Sequence, residues 1–264
     1  MTDADVDRVE ALLGQKLPDW VRERREMNEA EWLACPHLIY LTEFLLRNRG
    51  EHRKLRLFAA ACCRRVWSLL CWDAAKHVVE LSEAYADGQV TEAELRLAHA
   101  DPQFKDLEFQ ERGVADAGTQ LSMRVLSAIN AARLLGDPYY EQSCGAYIVA
   151  QETSLDPAGD YHPKDHKLGR GIMRDDVAYA EQEKLLREIV GNPFRRAFDA
   201  AWRTRSAVGT ASKMYDERNF TDMPILGDAL EEAGCDDTNI LAHCRNPTGH
   251  VRGCWVVDLV LGRL

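Results

Sequence analysis

Residues 52–72 read HRKLRLFAAACCRRVWSLLCW, and this stretch decides the fold class. Its apolar residues recur at spacings of three and four, namely Leu55, Phe58, Ala59, Cys62, Val66, Leu69 and Leu70. An apolar stripe with this period is typical of an amphipathic helix that buries one face. The charges of Arg56, Arg64 and Arg65 interrupt the stripe. The stretch therefore predicts one long helix.

Similar patterns, with signals for helix starts and stops, surround this stretch. Asn28 with Glu31, and Thr91 with Glu94, have the spacing of a capping box. Gly191 is placed to end a helix in the left-handed conformation. We predict further helices at residues 6–15, from 28, 37–49, 74–86, from 91, 114–135, 139–156, 175–190, 203–217, 223–233 and 237–245. Residues 250–261 suit a buried helix and a strand equally well.

The fold class that follows is all-α, a multi-helix globular bundle of antiparallel helical hairpins, because no run of alternating strands is present. Two lobes are consistent with the pattern. We expect an N-terminal helical extension at 1–27, an N-terminal lobe at 28–156, a Gly- and Pro-rich loop at 157–172 and a C-terminal lobe at 173–264.

Composition excludes several classes of protein. The formal net charge of −10 repels nucleic-acid phosphates, so nucleic-acid binding is not expected on average. Seven cations do crowd residues 47–65, which we interpret as a solvated helix face with arginine stems packed on apolar neighbours; the alternative is a nucleic-acid-binding or regulatory patch. No apolar run approaches the roughly 20 residues of a membrane span.

The eight cysteines fit a reducing compartment better than a disulfide framework. The acidic opening, residues 1–7, lacks the basic and then apolar pattern of a signal peptide. The adjacent pair Cys62 and Cys63 lies in an apolar helical run, where thiols behave as small hydrophobic groups. We therefore expect a cytoplasmic protein.

The C-terminal segment concentrates groups that bind metals, and it predicts a structural zinc site at Cys235, His243, His250 and Cys254. If residues 250–261 are helical, His250 and Cys254 are one turn apart and can share an ion. In the alternative interpretation, Cys244 and Cys254 are core residues and the two histidines cap helix ends. The spacing matches no paired-cysteine zinc motif.

A second polar group lies in the predicted loop, where residues 160–166 read DYHPKDH. Two histidines and two carboxylates can bind a divalent ion or transfer protons. The alternative is an ordinary polar loop. Elsewhere the chain has no P-loop, GxGxxG, HExxH or GxSxG motif.

Two sets of segments resemble a large paralogous family of uncharacterised proteins from planctomycete, Gemmata-like bacteria. The first set is EAEWLAC at 29–35 with RKLRLFAAACCRR at 53–65, and the second is LLREIVGNPFR at 185–195 with YDER at 215–218, PIL at 224–226 and HVRGCW at 250–255. The resemblance implies helices and a cytoplasmic location, but no activity. The hairpin at 225–245 is also similar to a repeat-companion domain, which implies an interaction module.

With no catalytic motif to indicate an enzyme, we predict a non-enzymatic helical interaction or adaptor protein whose partner is another protein. A metal-dependent enzyme of unrecognised type and a nucleic-acid-binding or regulatory protein are the two alternatives.

Overall fold

The structure is a computed structural model that describes residues 19, 26–105, 120–136, 149–150, 153, 176–195, 197–246 and 249–263. Twelve α-helices pack together and no strand occurs within these ranges, so the all-α prediction is confirmed. The helices are α1 Glu29–Ala34, α2 Leu38–Phe44, α3 His52–Arg65, α4 Asp73–Ala86, α5 Glu92–His99, α6 Pro102–Lys105, α7 Gln120–Leu135, α8 Asp176–Val190, α9 Arg205–Glu217, α10 Met223–Glu232, α11 Thr238–Arg245 and α12 Trp255–Leu261. A π-helical turn, Leu45–Arg49, continues α2.

Local capping signals form as predicted. Both capping boxes are present, Asn28 with Glu31 at α1 and Thr91 with Glu94 at α5. Gly191 has a φ of +67° after α8, which is the left-handed cap. These starts and stops depend on hydrogen bonds between residues close in sequence, so the sequence alone predicts them.

Helix α3 differs from the prediction in two ways. It ends at Arg65, and a 3-10 turn at Trp67–Leu69 follows, so that the chain can reverse into α4 while Leu70 stays buried. The helix is also buried on every side between Lys54 and Cys63, because α4, α7 and α8 all pack against it. It is therefore the central helix of the fold and has no solvated face along these residues.

Two apolar clusters form the cores. The first contains the central helix α3 together with the buried side chains of α1, α2, α4 and the last two turns of α8. The second contains α9, α10, α11 and α12, in which α9, α10 and α11 form consecutive hairpins. Of the ambiguous segment at 250–261, residues 255–261 form α12, which is buried along most of its length, whereas residues 250–254 form a turn and not the helix that would place His250 and Cys254 one turn apart.

Polar side chains of α3, in the first core, pair with groups of the second. Arg53 Nη1 lies 2.6 Å from Asp258 Oδ2, and Arg53 Nη2 donates to the Tyr215 hydroxyl at 2.9 Å. Lys54 forms an ion pair with Asp258 and donates to the Gly253 carbonyl at 3.0 Å. Because the side chains of Arg53 and Lys54 both point into the protein, they form part of the contact between the two cores.

The predicted loop at 157–172 and its group at 160–166 lie outside the described residues, as do nearly all of residues 1–27 and 139–156. The lobe boundary therefore stays a prediction. Within the described ranges, none of the helices has the length and apolar character needed to cross a bilayer.

Candidate metal centre

Glu188 lies in the last turn of α8, next to the start of α12. The helix ends at Gly191, where an added Cβ would lie 2.7 Å from Cγ of Trp255. Only a glycine leaves room for the indole at this point, and its positive φ allows the chain to turn away. The result is that the C-terminal turn of α8 and the first residue of α12 are in direct contact.

His243 comes from the last turn of α11, a helix that begins with a side-chain cap from Asp237 to the N–H groups of Asn239 and Ile240. Its neighbour Cys244 is fully buried and faces α10, because a Cβ added at Gly227 would lie 2.9 Å from Cβ of Cys244. That packing fixes the rotation of α11 about its axis and turns His243 towards α8.

Cys254 is held by a tight turn before α12. Its N–H donates to the Val251 carbonyl at 2.9 Å, and Gly253 has a φ of +90°. A Cβ at residue 253 would lie 2.9 Å from Leu57 of the central helix, so a glycine is required here for close approach as well as for conformation. The turn places the thiol inside the protein, with no exposed surface.

Donor atoms of four residues, Glu188, His243, His250 and Cys254, all lie within 4.8 Å of one another. Glu188 Oε1 is 2.9 Å from His250 Nδ1, and Oε2 is 3.5 Å from His243 Nε2. The Cys254 sulfur lies 3.2 Å from His243 Nε2 and 4.0 Å from His250 Nδ1. We call these four residues the C-terminal donor cluster.

The electrostatics couple the donors closely. Burial alone would raise the pKa of Glu188, but the hydrogen bonds and charges of His243 and His250 hold it below its usual range. Burial alone would lower the pKa of His250, and Glu188 more than offsets this effect, so the pKa is raised. Burial and then the charge of Glu188 raise the pKa of the Cys254 thiol. A metal that binds here must displace a proton from the thiol.

The donor set matches the preferences of a borderline-soft cation, since it has one thiol, two imidazoles and one carboxylate. In a tetrahedral zinc site, with Zn–S near 2.3 Å and Zn–N and Zn–O near 2.0–2.2 Å, neighbouring donors are roughly 3.3–3.6 Å apart. The four separations above run from 2.9 to 4.0 Å, and the donors all lie within 4.8 Å of one another, so a shift of roughly 1 Å or less brings each pair to tetrahedral spacing.

Three of the four residues that the sequence indicates are in this cluster, and Cys235 is not. Cys235 is buried in the second apolar core. Glu188 takes the fourth place, and sequence reasoning missed it because it lies 55 residues before His243 in the chain. A single glutamate in the last turn of a helix belongs to no sequence pattern that indicates metal binding.

No model of a known protein family gives a significant match to the chain, and neither do the curated proteins or the solved structures with which it was compared.

Proposed function

We propose that this chain is a non-enzymatic helical protein in which one zinc ion, bound at the C-terminal donor cluster, fastens the end of α8 to the segment that leads into α12. The observation that carries the proposal is the convergence of four donor atoms from three separate segments within 4.8 Å. Carboxylates often lie close together on a protein surface without binding a metal. A buried thiol beside two imidazoles and one carboxylate is instead a donor set typical of zinc sites.

Burial favours a structural role for the ion over a catalytic one. The Cys254 side chain is 0% exposed and the His250 side chain is 1% exposed, so a substrate has little access to the donors. Catalytic zinc sites keep a position open to water or substrate, whereas structural sites are enclosed by protein.

The place of the cluster in the fold explains what such an ion would do. The last turns of α8 pack in the first apolar core, whereas α11 and α12 belong to the second. An ion that binds Glu188 together with Cys254 would connect the two cores. Since the unfolded chain has no preformed site, the free energy of metal binding adds to the stability of this junction.

Elemental analysis by mass spectrometry on purified, untagged chain tests the proposal. About one zinc per chain is expected from the single cluster, with loss of the metal in Cys254→Ser. Cys235→Ser is the matched control, because it also removes a buried thiol from the second core but not from the cluster. Wild-type protein that holds no transition metal after dialysis against zinc would refute the proposal, and so would equal zinc loss in both variants.

We further propose that the protein acts in a reducing cytoplasm as an adaptor for another protein, in line with its resemblance to the planctomycete family and to the repeat-companion hairpin. The free state of the seven cysteines in the described ranges supports the compartment. The inward-facing Arg53 and Lys54 support an interaction class other than nucleic acid, because they are not available to phosphates. Affinity purification from native cells that recovers no stoichiometric partner would contradict the adaptor assignment.

A further inference from the structure

Resting on the proposed metal site, we infer that the two histidines of the cluster have different roles. His250 and Cys254 bind the metal directly, together with both carboxylate oxygens of Glu188, so that the ion keeps four protein donor atoms. Trp255 holds His243 off the metal, as a hydrogen-bond donor to the thiolate. Trp255 is thus a positioning residue that selects the ligand set.

The hydrogen bond from Trp255 fixes the tautomer of His243. Trp255 Nε1 lies 3.1 Å from His243 Nδ1, and an indole N–H can only donate. Nδ1 must therefore accept, and the proton of the neutral ring is on Nε2. That N–H points to the Cys254 sulfur at 3.2 Å and to Glu188 Oε2 at 3.5 Å. The chain of donors runs from Trp255 through His243 to the thiol.

His250 has the opposite arrangement. Its Nε2 lies 2.6 Å from the Asn246 carbonyl oxygen, which can only accept, so Nε2 carries a proton. Its Nδ1 lies 2.9 Å from a Glu188 carboxylate oxygen, which also accepts, so Nδ1 donates there in the metal-free protein, and a metal bound to Nδ1 would replace that proton. Metal-binding histidines usually donate their second ring N–H to a carbonyl or carboxylate, and His250 is already in that state.

A metal bound to Nε2 of His243 would require the ring proton on Nδ1, where it would face the indole N–H of Trp255. Two donors would then point at each other, and one hydrogen bond would be lost. The indole cannot easily turn away, because it is 9% exposed and its ring packs on the backbone of Gly191. The ring centroids of His243 and Trp255 are 5.0 Å apart, which adds a packing contact.

A zinc titration against a competing chelator at fixed pH tests this inference. His250→Ala should lose stoichiometric zinc, whereas His243→Ala should keep it with weaker affinity. Trp255→Phe should bind zinc about 2- to 10-fold more tightly, which corresponds to the loss of one opposing hydrogen bond. The gain should vanish in the double variant Trp255→Phe with His243→Ala, because it depends on His243 becoming a ligand.

Trp202→Phe is the control, since it removes another indole from the same apolar core but leaves the hydrogen bond to His243 in place. Circular dichroism of each variant checks that it is folded. If His243→Ala loses as much zinc affinity as His250→Ala, or if Trp255→Phe weakens binding, the division of roles is wrong although the site stands. If the wild-type chain binds no zinc, the proposed function itself fails.

Discussion

Removal of the Asp258 carboxylate should destabilise the protein strongly, because that group compensates a buried ammonium. Asp258 is 1% exposed and Lys54 is 5% exposed. Burial lowers the pKa of Lys54, and Asp258 opposes this effect. In Asp258→Ala, the Lys54 ammonium keeps only the Gly253 carbonyl among the partners described above, at 3.0 Å. Arg53 keeps its contacts with Asp87 at 2.8 Å and with the Tyr215 hydroxyl.

The expected loss in the free energy of unfolding for Asp258→Ala is about 3–5 kcal/mol, the range for one broken partner of a buried ion pair. At about 2–4 °C per kcal/mol for a chain of this size, Tm should fall by roughly 6–20 °C. Lys54→Met should lose less, about 1–3 kcal/mol, because Asp258 is still paired with Arg53 at 2.6 Å.

The decisive measurement is a double-mutant cycle by urea unfolding, followed by far-ultraviolet circular dichroism. The double variant Lys54→Met with Asp258→Ala should be more stable than Asp258→Ala alone, since it no longer contains the uncompensated ammonium. A shift of the midpoint at constant slope would show that stability has changed and not the unfolded ensemble. A loss below about 1 kcal/mol in Asp258→Ala, or a double variant less stable than that single one, would refute the reasoning.

Two further predictions concern pH and backbone conformation. Burial alone would raise the pKa of Glu83, but Arg218 and Arg64 hold it below 4.5, so its contribution to stability is complete above pH 4.5 and is lost as the pH falls through the lower folded value. In Glu83→Gln, the free energy of unfolding should depend less on pH in this window. A pH dependence equal to that of the wild type would contradict the assignment. Gly191→Ala should cost more than the roughly 1–2 kcal/mol of left-handed strain alone, because its Cβ would lie 2.7 Å from the facing indole. Gly88→Ala, with a φ of +69° and open space, should cost only the strain, and equal losses in the two unfolding curves would contradict the contact.

The sequence by itself determined the fold class and most helix boundaries in the described ranges. The capping boxes at Asn28 and Thr91 and the left-handed stop at Gly191 form as their local spacing predicts. They could be predicted because the hydrogen bonds involved join residues a few positions apart. The sequence also placed His243, His250 and Cys254 among the candidate ligands, since they are close in the chain.

Only the tertiary structure decided which faces meet. The spacing around Arg56 indicated a helix buried on one face only, but the helices α4, α7 and α8 cover it on all sides. The Arg56 guanidinium donates to the Leu135 carbonyl at 2.8 Å. Likewise, Glu188 replaced Cys235 in the donor cluster because α8 ends against Trp255. Contacts between residues distant in the chain depend on how helices pack around a shared core, and periodicity within one segment carries no information about the partner.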